Sequence, residues 1–163
     1  MTDWENKILY IDMDGVLAKW ENASFQDVSS KGFFLSREPE QNLINAVRLL
    51  VESDVEVHIL SSVLDNKYAL GEKKEWLKRW LPWLPEMSCH FIPYGSAKTP
   101  MDMKKTGYLL DDYTRNLTQW IGVGIKCCTD CNDSHGTWDG HRIYASDPAE
   151  EIATKLIMIM KMN

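Results

Sequence analysis

The chain has 163 residues, a length that suits one domain with a substantial core and argues against two independent catalytic domains. Its 44% hydrophobic and 26% charged residues are typical of a globular protein and exclude a disordered or fibrous one. The formal net charge of −6 disfavours affinity for a nucleic acid polymer, because an acidic surface repels the phosphate backbone.

The first half of the chain alternates strand and helix patterns. Residues 7–11 are apolar and β-rich, and the run ends abruptly at Asp12, which is typical of a buried parallel strand. Apolar residues recur at helical spacing over 43–51, and 55–60 predict a second strand. A second helix is predicted over 72–80, with its tryptophans packed inward.

The second half continues the alternation. Residues 89–92 and 107–110 predict a third and a fourth strand, and 122–126 predict a fifth. A short helix is predicted over 114–120, and a C-terminal helix begins after a capping box at 147–150. Such alternation predicts an α/β fold, a Rossmann-like doubly wound parallel sheet with helices on both faces, in a single domain over residues 1–163.

Nothing in the sequence indicates export or a membrane partner. Residues 1–7 lack the apolar centre of a secretory signal, and apolar stretches such as 156–160 are far shorter than the roughly 20 residues that span a bilayer. Three of the four cysteines crowd into 127–131, which is a poor disulfide framework. We therefore expect a cytoplasmic protein.

Polar side chains lie where the predicted strands end, or just ahead of one. They are Asp12 and Asp14 after strand one, Ser61 and Ser62 after strand two, Lys98 ahead of strand four, and Asp111 and Asp112 after it. The carboxyl ends of parallel strands share one crevice, so these groups should converge. Clustered carboxylates repel by roughly 4 kcal/mol per pair at a dielectric near 20, so they require a cation. An all-oxygen site favours Mg²⁺.

Together these groups predict phosphoryl transfer. Asp12 is placed to attack phosphorus and form an aspartyl-phosphate, and Asp14 to act as general acid and then as general base. The hydroxyl of Ser61 and the ammonium of Lys98 would hold the phosphoryl oxygens, although Lys73, Lys104 and Lys105 are alternatives to Lys98.

Four segments resemble the four motifs of the haloacid dehalogenase superfamily, in the same order and spacing. They are residues 12–18, residues 60–62, Lys98 and residues 109–112. Within that superfamily the chain is most similar to the 5'(3')-deoxyribonucleotidase family, whose first motif also reads Asp-Met-Asp-Gly-Val-Leu-Ala with an aromatic residue soon after, here Trp20.

The resemblance implies a Mg²⁺-dependent phosphatase that acts on a small phosphate ester, most simply a nucleoside monophosphate. It implies Mg²⁺ bound by the side chains of Asp12 and Asp112 and by the backbone carbonyl of Asp14, with Asp111 supporting through water. The implied substrate-binding residues are Asp14, Trp20, Phe33, Phe34, Leu35, Ser61, Ser62 and Lys98.

Residues 19–38 correspond to a small, reduced cap inserted after strand one, since Ser61 follows Asp12 more closely than in the animal enzymes of that family. Base selectivity is therefore left open, and so is the completion of the cap by a neighbouring subunit in an oligomer. Phe33 and Phe34 are alternatively core residues of the cap.

Three other interpretations compete with a nucleotidase. The first is a phosphatase of the same superfamily that acts on a non-nucleotide ester. The second is a phospho-acceptor receiver domain, which would carry its acidic pair near strand one and its acceptor aspartate after strand three, whereas Asp111 and Asp112 follow both Ser61 and Lys98 here. The third is a zinc-stabilised interaction module built on a loop of thiols and imidazoles. Its candidate ligands are Cys127, Cys128, Cys131, His135 and His141.

Overall fold

Six parallel strands form one sheet in the computed structural model, which describes residues 4–130 and 137–162. The strands are β1 Lys7–Ile11, β2 Val57–Val63, β3 Cys89–Pro93, β4 Thr106–Asp111, β5 Val123–Cys128 and β6 His141–Tyr144. Their order across the sheet is β3-β2-β1-β4-β5-β6, so the chain winds outward in both directions from β1 and β4. The predicted doubly wound α/β fold is confirmed.

The strands differ from the prediction by one to three residues at several of their ends, and they differ in number. β2 continues to Val63 and β4 to Asp111, so Ser61, Ser62 and Asp111 are strand residues rather than loop residues. β6 was not predicted, because its four residues are short, largely polar and paired with β5 alone at the edge of the sheet.

Among the residues that the structure describes, five α-helices accompany the sheet, and a short 3₁₀ turn spans Glu86–Ser88. The helices are α1 Phe25–Val28, α2 Gln41–Glu52, α3 Ala69–Trp80, α4 Thr114–Gln119 and α5 Ala149–Met162. α1 was not predicted, although its capping box between Ser24 and Asp27 is visible in the sequence. Within the described residues, no helix is long and apolar enough to span a membrane.

The sheet is covered by apolar side chains on both faces. α2, α3 and α5 contribute to the larger core, where Trp76 is fully buried and its indole nitrogen donates to the carbonyl of Arg37 at 2.8 Å. A smaller cluster on the other face includes Tyr10 and Trp120. The inward packing predicted for the tryptophans is confirmed at Trp76.

Residues 19–38 leave the fold and return to it at one place. The backbone N–H of Lys19 donates to the carbonyl of Glu38 at 2.8 Å, and that of Glu40 donates to the carbonyl of Leu17 at 2.7 Å. A bridge between Ala18 and the residue before Glu40 closes the same base. The segment is therefore an excursion that starts directly after the Asp12–Asp14 loop, and we refer to it as the 19–38 segment.

Candidate active site

Three carboxylates meet at the carboxyl ends of β1 and β4, the two strands from which the sheet winds outward. Asp12, Asp111 and Asp112 each offer an oxygen, and these oxygens all lie within 4.8 Å of one another. Asp12 directly follows β1, where its backbone N–H donates to the carbonyl of Leu110 at 2.9 Å. The predicted convergence of residues far apart in the chain is present.

Gly15 lets the backbone pass beneath Asp112. Its φ is +79°, in the left-handed region that glycine adopts at little cost, and a Cβ at this position would lie 2.2 Å from Oδ2 of Asp112. Any side chain at Gly15 would therefore displace the Asp112 carboxylate.

Lys98 lies between two of the carboxylates. Its ammonium is 2.7 Å from Oδ1 of Asp12 and 2.8 Å from Oδ2 of Asp111, and it is almost fully buried. Burial alone would lower the pKa of Lys98, but the carboxylates of Asp12 and Asp111 raise it above its ordinary value. Lys98 is thus a permanent cation of the acidic cluster.

One lysine does not neutralise this cluster. Burial raises the pKa of Asp12 well above its ordinary value, the charges of Asp111 and Asp112 raise it further, and Lys98 opposes them. An ionised Asp12 therefore requires more positive charge than Lys98 supplies. The donor set, three carboxylates that share one small space, fits a hard divalent cation such as Mg²⁺.

Both carboxylate oxygens of Asp111 are held by hydrogen bonds, so this side chain is not free to turn toward a metal. Its Oδ1 accepts from the backbone N–H of Tyr113 at 2.8 Å, and its Oδ2 accepts from the side-chain amide of Asn116 at 2.9 Å in addition to Lys98. The side chain is fully buried. This arrangement suits a supporting role beside the cation, as the resemblance implied.

A second buried lysine, Lys73, contacts the catalytic candidates Asp14 and Ser61. The ammonium of Lys73 lies 2.5 Å from Oδ2 of Asp14, 3.1 Å from Oγ of Ser61 and 2.6 Å from the carbonyl of Ser62. The sequence offered Lys73 only as an alternative to Lys98, whereas the structure places both lysines at the site. Its signal was position, because Lys73 lies on the buried stripe of α3 together with Ala69 and Trp76.

Asp14 keeps one oxygen for another partner. Its Oδ1 is buried and has no hydrogen-bond partner within the part of the chain that the structure describes. A buried carboxylate oxygen without a partner is costly unless a ligand supplies one. Asp14 therefore has a buried acceptor oxygen that a ligand could satisfy.

Three of the predicted substrate contacts form a group of rings beside this site. The ring centroids of Trp20 and Phe33 are 5.6 Å apart, and those of Phe33 and Phe34 are 5.1 Å apart. The Lys73 ammonium lies 4.7 Å from the centroid of Phe34. Leu35 instead packs against the main core and lines a separate surface pocket.

Lys126 was missed by the sequence analysis. This buried lysine of β5 donates from its ammonium to the backbone carbonyl of Asp112 and, at 3.0 Å, to the hydroxyl of Thr114. A lysine within an otherwise apolar strand was the available signal. Lys126 anchors the loop that carries Asp112.

The proposed zinc ligands are only partly described. Cys131 and His135 lie outside the described residues, Cys127 and Cys128 are buried at the end of β5, and His141 begins β6. Burial raises the pKa of the Cys127 thiol, which disfavours the thiolate that binds zinc. In the described ranges, the only group of three or more potential ligands close enough to share an ion is the aspartate cluster.

Comparisons with known proteins give a family for the chain and a structure of similar fold. The family model for "5' nucleotidase, deoxy (Pyrimidine), cytosolic type C protein" matches residues 19–157, so the match begins directly after the Asp12–Ala18 loop. No curated protein sequence matches the chain.

A solved structure is similar in fold. It is the crystal structure of D,D-heptose 1.7-bisphosphate phosphatase from B. bronchiseptica complexed with magnesium and phosphate, with a TM-score of 0.57. The two proteins share 14% sequence identity over 94% of this chain and 99% of that chain.

Proposed function

The chain belongs to the family of cytosolic type C 5' nucleotidases, and on that premise we propose that it hydrolyses deoxyribonucleoside or ribonucleoside monophosphates with Mg²⁺ as cofactor. Family membership makes it a phosphatase of the haloacid dehalogenase superfamily. The observation that carries the proposal is the meeting of Asp12, Asp14, Lys73 and Lys98 at one edge of the sheet. The cytosolic type in the family description supports a cytoplasmic location.

The proposed metal ligands are the side chains of Asp12 and Asp112 and the backbone carbonyl of Asp14, with Asp111 acting through water. The cluster of carboxylate oxygens and the glycine cradle at Gly15 support this assignment. When bound, Mg²⁺ supplies the positive charge that favours ionised Asp12 and offsets the charge of the phosphate.

Asp12 is proposed as the nucleophile. Lys98 fixes Oδ1 of Asp12, which orients the carboxylate. A carboxylate oxygen bonds to phosphorus while the bond from phosphorus to the ester oxygen breaks, leaving an aspartyl-phosphate and an alcohol. Water then attacks phosphorus, releases inorganic phosphate and restores the Asp12 carboxylate.

Asp14 is proposed to move the protons. Lys73 and Oδ2 of Asp14 are in contact, which leaves Oδ1 as the oxygen that can face the ester. As general acid, Asp14 gives a proton to the departing ester oxygen, and as general base it then takes a proton from the hydrolytic water. Both steps use the same oxygen, so the residue returns to its starting state.

The phosphoryl oxygens are proposed to bind Lys73, Lys98 and the hydroxyl of Ser61. Lys73 already lies 3.1 Å from Oγ of Ser61, so both groups point at one place. Cations and donors fixed before the substrate arrives stabilise the charge that spreads over the transferring group. Ser62 contributes through its backbone carbonyl, which holds Lys73.

The nucleoside is proposed to lie against the rings of Trp20, Phe33 and Phe34 under the 19–38 segment, which acts as a reduced cap. Trp20 and Phe33 are half-buried, whereas Phe34 is buried and packs against both. Aromatic faces stack on nucleobases with little preference for which base is present. Contact between Leu35 and the substrate remains a prediction.

A phosphate-release screen tests the proposal. Wild-type protein with Mg²⁺ is expected to release phosphate from nucleoside monophosphates faster than from sugar phosphates that lack a base, and Asp12→Asn is expected to abolish release. Efficient hydrolysis of base-free esters alone would contradict the substrate assignment. Activity retained by Asp12→Asn would contradict the mechanism.

A further inference from the structure

A single carboxylate of α3 binds the backbone of the 19–38 segment, at the turn that carries Phe33 and Phe34. Oε1 of Glu72 accepts from the N–H of Gly32 at 2.5 Å, and Oε2 accepts from the N–H of Phe34 at 3.1 Å and of Leu35 at 3.4 Å. These contacts join parts of the chain that lie about 40 residues apart in sequence. Glu72 is therefore the polar anchor of the turn that carries two of the three rings.

The geometry explains why the anchor is charged. A turn in which several N–H groups point to one side forms an anion-binding concavity, and Gly32 opens it with a φ of +87°. Hydrogen bonds to an ionised acceptor are about twice as strong as neutral ones. The three donors also offset the negative charge of Glu72 close to a site that must accept a phosphate.

Glu72 and its neighbour Lys73 act on the same segment from two sides. Glu72 holds the backbone on either side of Phe33, while the Lys73 ammonium lies over the ring of Phe34 and contacts Asp14. Two consecutive residues of α3 thus connect the ring group to the proton-transfer residue.

We propose that Glu72 is a positioning residue for the nucleoside part of the substrate, because it fixes the turn from which Phe33 and Phe34 project. This inference rests on the proposed function, since it takes the ring group as the surface that meets the base. The hydrogen bonds of Glu72 go to backbone N–H groups and not to the groups proposed to hold the phosphate. Its loss should therefore weaken binding of the nucleoside and leave the chemical step intact.

The test compares two substrates that differ only in the base. They are a deoxyribonucleoside 5'-monophosphate and 2-deoxyribose 5-phosphate. Glu72→Gln places an amide N–H₂ against backbone N–H donors, so we expect the KM for the nucleotide to rise about tenfold. We expect kcat to stay within about twofold and the KM for the base-free sugar phosphate to be unchanged.

Two further variants keep the test sharp. Glu75→Gln is the matched control, because Glu75 is exposed on the same helix and its ion pair with Arg79 is 3.9 Å long. Gly32→Ala strains the turn, because an alanine rarely adopts a φ of +87°, while Glu72 itself is unchanged. Open space surrounds the added methyl group. It is expected to reproduce the selective rise in KM, and it carries the test if Glu72→Gln does not fold.

The outcomes separate this inference from the function on which it rests. Equal losses on both substrates, or an unchanged KM for the nucleotide, would overturn the role of Glu72 while the nucleotidase proposal stands. A wild-type protein that hydrolyses no nucleotide would overturn both.

Discussion

The ammonium of Lys73 contacts Oδ2 of Asp14 at 2.5 Å, although the two residues are 59 positions apart. Lys73 also reaches Ser61 and the carbonyl of Ser62, so one buried cation connects the loop after β1 with the end of β2. The orientation of the proposed general acid is therefore determined by helix α3 and not by its own loop alone.

Replacing this cation should lower the rate of the chemical step. Lys73→Met removes the charge that orients Asp14 and faces the phosphoryl group, and we expect kcat to fall about 100-fold or more. Lys74→Met is the control, because Lys74 is the exposed neighbour on the same helix. Steady-state kinetics with Mg²⁺ measure the effect, and a kcat within about twofold of wild type would contradict the role of Lys73.

A methyl group at Gly15 should weaken metal binding. In Gly15→Ala the new Cβ would meet Oδ2 of Asp112 at 2.2 Å, so the carboxylate must move away from Asp12. We expect the Kd for Mg²⁺ to increase about tenfold or more by calorimetry. Gly71→Ala is the control, since nothing lies within 4 Å of its added Cβ. Equal Mg²⁺ affinity in both variants would contradict the role of Gly15 in placing the Asp112 carboxylate.

The sequence predicted most of the sheet and the acidic end of the site because these signals are local. Apolar runs that end at Asp12 and Asp111 identify buried parallel strands. The polar residues at the ends of these runs can therefore be read directly from the sequence. The lysines were harder to assign because most lysines are exposed, so the apolar neighbours of Lys73 and Lys126 in the sequence were weak signals that these two are buried. β6 was not predicted because it is a short edge strand with one buried residue, so its sequence lacks a clear apolar pattern.

Lys98 should stabilise the metal-free protein. It lies between the carboxylates of Asp12 and Asp111, so Lys98→Met removes the buried cation that compensates them and should lower the free energy of unfolding by about 3–5 kcal/mol in EDTA. Mg²⁺ should restore part of this loss because it replaces the missing charge. Chemical denaturation with Lys104→Met as an exposed control measures both effects, and equal stability of the two variants in EDTA would contradict this account.

The raised pKa of Asp12 predicts a pH dependence of stability. The folded protein binds the Asp12 proton more tightly than the unfolded chain does, so in EDTA the free energy of unfolding should decrease as the pH rises from 3.8 through the folded pKa. Mg²⁺ binds the ionised carboxylates and should counteract the decrease.

Thermal unfolding between about pH 4 and pH 8 tests this linkage. Asp12→Asn has no group to ionise at this position, so its stability should fall less with pH than that of wild type. Identical profiles for the two proteins would show that Asp12 titrates normally.

Rapid acid quenching during turnover, followed by mass spectrometry of the peptide that contains Asp12, tests the central claim most directly. The account predicts a phosphoryl adduct on Asp12 that requires Mg²⁺ and a phosphate ester and that is missing in Asp12→Asn. Phosphate release by wild type without any adduct on Asp12, or with the adduct on another residue, would contradict it.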